Sequence, residues 1–214
     1  MNNIFEIENE YYQKCSNDRI SKLIAHYELY KMSEEVAGNI VEAGVFKGGS
    51  LIRFATFREI LGAAFTKKII AFDSFGDFPE TDYEEDKKHR ESFIKAAGTD
   101  SLTKSEINEI IKLKKFGGEI ELVKGDIRNT VPEYVNEHPE LRISLLHIDV
   151  DVYEPTKVLL EELYSKVVKG GIVILDDYGV FPGETQAVDE FFKDQYLEIK
   201  KFSFAATPCY FVKK

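Results

Sequence analysis

The sequence predicts a mostly parallel α/β sheet, wrapped by helices on both faces and closed at one edge by an antiparallel strand. Three observations predict it. Apolar runs of strand length recur at 39–43, 68–72, 119–124, 143–148 and 172–175. Stretches with helical spacing alternate with them, and such alternation joins parallel strands through crossovers. Finally, 197–204 and 209–212 alternate well enough to pair as a hairpin.

In order along the chain, Ile20, Leu23, Ile24, Tyr27, Leu29, Tyr30 and Met32 recur at roughly helical spacing within 18–35. Residues 1–37 thus read as an N-terminal helical segment, a lid or a homo-oligomer contact. The run 39–43 is interrupted by Glu42 and followed by Gly44; Gly48, Gly49 and Ser50 then open a helix reaching Leu61. The next run ends at Asp73. From 74 to 118 the composition turns charged and polar, with helical pieces at 85–97 and 105–115, so this is an insertion over the sheet edge. Its Asp82-Tyr-Glu-Glu-Asp86 and Lys87-Lys-His-Arg90 carry both charge signs, as a solvated helix face does; the other reading is a mobile lid. Strand 119–124 leads into Gly125-Asp126 and a short helix near Val131. Strand 143–148 leads into a helix over 155–167, whose C-terminal turn suits Gly170-Gly171. Strand 172–175 is followed by a helix over 185–193 and then by the closing pair. At 214 residues, without repeats or low-complexity tracts, 1–214 reads as a single domain.

Composition narrows the function. Hydrophobic residues at 43% supply a large core, and a net charge of −10 argues against a nucleic-acid partner. No run approaches the ~18 apolar residues of a membrane helix, and Met1 to Glu10 is too polar and acidic for a secretory signal. Cys15 and Cys209 fit neither a zinc site nor a disulfide framework. These features suit a cytoplasmic, soluble protein.

The chemistry is concentrated in Leu145-Leu-His-Ile-Asp-Val-Asp-Val-Tyr153 and in Ile172 to Asp177. Asp149, Asp151, Asp176 and Asp177 lie just past the ends of strand-like runs, in the crevice where open α/β sheets bind ligands. Converging carboxylates repel one another unless a cation holds them, which points to a metal-carboxylate site. Upstream, Gly44, Gly48 and Ser50 belong to a glycine turn that opens a helix, a place where a ligand can approach the backbone. A dinucleotide fingerprint would carry glycine where Glu42 stands. A carboxylate repels a pyrophosphate but attracts an ammonium, so the turn suits an amino-acid head. Asp73, at the end of the second strand, can accept from ribose hydroxyls. Asp126 can bond an adenine amino group, with Ile127 covering the ring. Each also has a bland reading as a capping aspartate. Together they describe an adenosine carrying an amino-acid tail, S-adenosylmethionine.

Glu42-Ala-Gly-Val-Phe-Lys-Gly-Gly-Ser50, Ala71-Phe-Asp-Ser-Phe75, Ile148-Asp-Val-Asp-Val-Tyr-Glu-Pro-Thr156 and Gly170-Gly-Ile-Val-Ile-Leu-Asp-Asp-Tyr178 resemble the macrocin O-methyltransferase family (TylF/MycF-like) from about Ile20 to Phe192. The resemblance implies a Rossmann-like class I methyltransferase fold and Mg²⁺-assisted methylation of a hydroxyl on a sugar or related small-molecule acceptor. It implies Asp149, Asp176 and Asp177 as metal ligands, and Glu42, Asp73 with its neighbour Ser74, and Asp126 as cofactor contacts. Val150 stands where relatives commonly carry glycine. The lysine of catechol-type methyltransferases is replaced by Val152, leaving Asp149, Asp151 and His147 as candidate bases. His147 also has a reading as a hydrogen-bonded core histidine.

Other readings use the same residues. Asp149-Val-Asp-Val matches the signature of haloacid-dehalogenase-type phosphatases, with Asp149 as nucleophile, although those enzymes carry it on an early strand. A sugar-nucleotide transferase could use Asp-x-Asp to hold a metal, but leaves Glu42 unexplained. A non-catalytic cofactor-binding subunit would gain little from concentrating negative charge.

Overall fold

The structure, a computed structural model, describes residues 3–78, 80–99 and 101–214. Helices α1 (Ile4–Lys14) and α2 (Asn17–Ser33) lead into β1 (Asn39–Ala43), α3 (Gly49–Ile60) and β2 (Ile69–Asp73). The insertion carries α4 (Glu84–Ala97) and α5 (Lys104–Lys114). Then follow β3 (Ile120–Lys124), α6 (Ile127–Glu137), β4 (Ile143–Ile148), α7 (Tyr153–Leu163), β5 (Val167–Leu175), α8 (Pro182–Phe191), β6 (Lys200–Lys201) and β7 (Cys209–Val212).

The strands form a seven-stranded sheet in the order β3-β2-β1-β4-β5-β7-β6. The first five are parallel, and β7 runs antiparallel against both β5 and β6. The strand order reverses between β1 and β4, and the crevice beyond the carboxyl ends of those strands is where such sheets bind ligands. Strand alternation sends Val41, Ala43, Leu146 and Ile148 to one face, where they pack with residues of α6, α7 and α8. Ile40 and Leu145 face the other side, against Leu29, Phe54 and Ile107 of α2, α3 and α5.

The sheet and its antiparallel edge follow the pattern of the sequence. Within the expected N-terminal helical segment, Ile4–Lys14 form a helix capped by the Asn3 side chain, with none of its own residues buried; Met1 and Asn2 lie outside the described residues. Three details differ. Gly170-Gly171 is no helix turn. Helix α7 ends earlier, and the glycine pair sits inside β5 beside a register shift against β4. A Cβ on Gly171 would crowd the Val168 carbonyl oxygen at 2.8 Å, so the local kink depends on glycine. The strand expected over 197–204 shrinks to Lys200–Lys201. Helix α8 begins earlier than expected, with proline in its first turn, where a missing N–H costs no intrahelical bond. Among the described residues no helix is long and apolar enough to cross a membrane.

Candidate active site

A cavity of about 820 Å³ opens over the carboxyl ends of β1 to β5. One side is the glycine turn after β1, with Asp73, Ser74, Asp126 and Ile127 from the ends of β2 and β3; the other is Asp149, Asp151, Asp176 and Asp177. Helix α2 adds Lys22 and His26, and the insertion adds Phe78 and Phe93. The volume lies within the range of small-molecule and cofactor sites.

Asp73 organises the first side. Its Oδ2 accepts from the backbone N–H of Val45 (2.7 Å) and Phe46 (3.0 Å), and its Oδ1 from that of Phe75 (2.6 Å). Phe46 and Phe75 have left-handed backbones, at φ 48° and 45°, a conformation costly for bulky residues. The carboxylate thus fixes two strained residues at the cavity's edge. Ser74 Oγ donates to the Asp77 carbonyl oxygen at 3.1 Å. Gly44 (φ 90°) passes so close to the Asp149 carbonyl that a Cβ would collide with it. Gly48 (φ 77°) precedes α3, whose N-terminus has no side-chain cap. Asp126 caps α6 through the Arg128 N–H (2.9 Å) and pairs with the Arg128 guanidinium (2.6 Å), which holds its carboxyl below the usual range.

Glu42 does not line this cavity. It is fully buried, hydrogen-bonded by Ser50 Oγ, and its Oε2 has no partner. In register it pairs with His147 across β1 and β4, and both side chains point toward α2 and α3. His147 is fully buried between Phe54 and His26. Its Nε2 lies 3.2 Å from Asp176 Oδ1 and its Nδ1 3.6 Å from Glu42 Oε1. Burial opposes its charge, but the carboxylates of Asp176 and Glu42 beside it outweigh burial and raise the imidazole to about 10. His147 therefore sits behind the carboxylates rather than on the cavity.

Asp149, Asp176 and Asp177 each offer an oxygen within 4.8 Å of the others. Asp176 is buried at 1% exposure, an environment that would raise it, yet the Lys22 ammonium and His147 hold it well below the carboxylate range. Asp149 is pushed up to about 8, by burial first and then by the Asp176 charge. Asp177 is pushed well up by burial, Asp151 and Asp176, and its buried Oδ2 has no partner. Asp151, on the cavity at φ 62°, supplies the left-handed step of the turn, while Val150 before it is buried in the core. A cluster of hard oxygens with one atom unsatisfied fits Mg²⁺.

Sequence reasoning missed three participants here. Lys22 pairs with Asp176 from a helix far away in sequence, and His26 Nε2 lies 3.5 Å from the same carboxylate. Burial lowers His26 to about 4. Glu184 of α8, fully buried, accepts from the Asp177 N–H at 3.1 Å. Its position, soon after an acidic pair and in the first turn of a helix, was the available signal.

Residues 12–213 match the macrocin-O-methyltransferase (TylF) family. Demethyldecarbamoylnovobiocin O-methyltransferase of Streptomyces niveus is 31% identical over 168 residues, 75% of this chain and 60% of that protein. A Streptomyces olivaceus enzyme, 8-demethyl-8-(2,3-dimethoxy-α-L-rhamnosyl)-tetracenomycin-C 4′-O-methyltransferase, is 26% identical, covering 70% of this chain and 56% of that one. The chain therefore spans only about three fifths of the length of these curated relatives. The crystal structure of the calicheamicin methyltransferase CalS11, also described as a TDP-rhamnose 3′-O-methyltransferase, superposes with a TM-score of 0.81 at 26% identity, covering 99% of this chain and 86% of that one. With a match over nearly its whole length, and with the sheet order and acidic strand ends described above, the chain belongs to the macrocin-O-methyltransferase (TylF) family.

Proposed function

We propose that this chain is an S-adenosylmethionine-dependent, Mg²⁺-assisted O-methyltransferase acting on a hydroxyl of a sugar or sugar-containing small molecule, with 1–214 as one catalytic domain. The observation that carries the reading is the convergence on one cavity of the Asp73-braced glycine turn and the Asp149, Asp176 and Asp177 cluster. The names of the rhamnose-directed relatives support a sugar acceptor.

In this reading the turn from Gly44 to Ser50, Asp73, Ser74, Asp126 and Ile127 hold the cofactor. Glu42 acts from beneath through Ser50 unless the turn shifts on binding. Asp149, Asp176 and Asp177 would hold Mg²⁺, which as a Lewis acid orients neighbouring acceptor oxygens and lowers the hydroxyl's pKa. S-adenosylmethionine held there would supply its methyl group in line to the acceptor oxygen, leaving as S-adenosylhomocysteine, and the hydroxyl proton would pass to a carboxylate. Asp149 and Asp151 face the cavity and can receive it; His147 instead positions Asp176 from behind. The walls contributed by α2 and the insertion exclude water from the transfer.

The test is methyl transfer from labelled S-adenosylmethionine to a panel of rhamnosides and nucleoside-diphosphate sugars, with and without EDTA. Transfer to a hydroxyl that EDTA abolishes is expected. Turnover that survives EDTA would remove the metal from the account, and cofactor binding without turnover across the panel would favour a non-catalytic subunit.

A further inference from the structure

We propose that Asp86, in the insertion, is a positioning residue for the carboxylate cluster, one buried side chain acting as the shared N-terminal cap of the two helices that follow the acid-bearing strand ends. The inference rests on reading that cluster as a cation site.

Asp86 is the one buried residue of α4 among those described, in a helix whose other residues are exposed or half-buried. Its Oδ2 accepts from the N–H of Tyr153, the first residue of α7, at 2.9 Å, and its Oδ1 from the N–H of Gly183, in the first turn of α8, at 2.7 Å. Neither helix has a cap of its own: Val152 and Phe181, at the cap positions, make no side-chain bond to the first turn. Helix N-termini expose unpaired N–H groups and a positive dipole end, so one carboxylate between two of them satisfies both; burial raises its pKa, and the two N–H bonds oppose that rise. The fit is close. A Cβ on Gly183 would collide with the Asp86 carboxylate.

Each bond leads directly to the cluster. Tyr153 closes the tight turn that carries Asp149 and Asp151, in which the Val152 N–H donates to the Val150 carbonyl at 2.6 Å. On the other side Gly183 adjoins Glu184, whose Oε1 accepts from the Asp177 N–H at 3.1 Å. Asp86 therefore sets the separation of the two loops whose carboxylates must meet around one ion. The insertion has a separate attachment, in which the Glu154 carboxylate accepts from Thr81 Oγ1 (2.9 Å) and from the N–H groups of Asp82 (2.8 Å) and Tyr83 (3.0 Å). Loosening that attachment leaves both caps in place.

The experiment is a Mn²⁺ titration of the full chain followed by electron paramagnetic resonance, with S-adenosylhomocysteine affinity and thermal melting measured on the same samples. Asp86→Asn keeps the shape but can accept only one of the two N–H groups. It should weaken Mn²⁺ binding by about tenfold, as outer-shell changes at metal sites do, while S-adenosylhomocysteine affinity stays within about twofold. Glu154→Gln should leave Mn²⁺ affinity within about twofold of wild type. Wild-type Mn²⁺ affinity in Asp86→Asn, or an equal loss in Glu154→Gln, would overturn the proposal. A wild-type chain that binds no Mn²⁺ would remove the cation reading and this inference with it. If Asp86→Asn does not fold, Gly183→Ala, whose Cβ would collide with Asp86 Oδ2 and with the Tyr153 nitrogen and so disturb both caps, takes its place with the same expected loss and the same overturning result.

Discussion

Lys22, on the second helix, is ion-paired with Asp176, 154 positions away, inside the cavity. The ammonium neutralises the cluster from one side and occupies an oxygen that a divalent cation would use. Lys22→Met should therefore tighten Mg²⁺ or Mn²⁺ binding several-fold, and lower the melting temperature of the metal-free protein because cluster repulsion is then unopposed. Titration and melting with and without metal check both signs; weaker cation binding would show that the lysine supports the ion rather than competing with it.

The same pairing separates two substitutions that look alike in sequence. Asp176→Ala strands Lys22 and the protonated His147 in a buried site, an outcome that costs about 3–5 kcal/mol. Asp149→Asn replaces a carboxyl that its surroundings already hold toward the neutral form. It should be at least as stable as wild type in urea denaturation, yet bind no divalent cation.

Asp149 lies at about 8 and Asp151 at about 6, with burial the first cause of both rises. Because these folded-state values exceed the unfolded ones, the folded chain keeps protons that the unfolded chain releases. The two groups therefore stabilise the fold most at low pH, and that contribution is lost as pH rises from about 4 to about 8. A divalent cation competes with the same protons. The melting-temperature rise produced by Mg²⁺ should be small near pH ~6 and larger near pH ~8.5; equal rises would contradict a cation held by these carboxylates.

Asp73→Ala would release the N–H groups of Val45, Phe46 and Phe75, the last two in left-handed conformations. The loss should be about 1–3 kcal/mol in stability, with S-adenosylmethionine affinity falling more than tenfold by calorimetry. An unchanged affinity would move the cofactor contact elsewhere.

Much of this arrangement was legible along the chain. Acidic residues at or just past the ends of four of the five apolar runs locate the cavity, because a free carboxylate is not tolerated inside a strand. What stayed hidden depends on contacts between distant segments. Asp86 reads as one acid in a solvated charge run, and only packing against α7 and α8 buries it. Lys22 carries no local sign of its partner. Glu42 looks ready for a ligand ammonium, yet the β1–β4 register turns it toward His147 and seals it from the cavity. Gly170-Gly171 resembles a helix stop because glycine pairs serve kinked strands and helix ends equally well.

The central claim is that the cavity over β1 to β5 holds S-adenosylmethionine beside a cation site, and calorimetric titration of the purified chain with S-adenosylmethionine, with and without Mg²⁺, tests it most directly. The account predicts saturable one-to-one binding in both conditions, with a Mg²⁺-free affinity that Asp149→Asn leaves within a few fold. No binding at millimolar cofactor would contradict it.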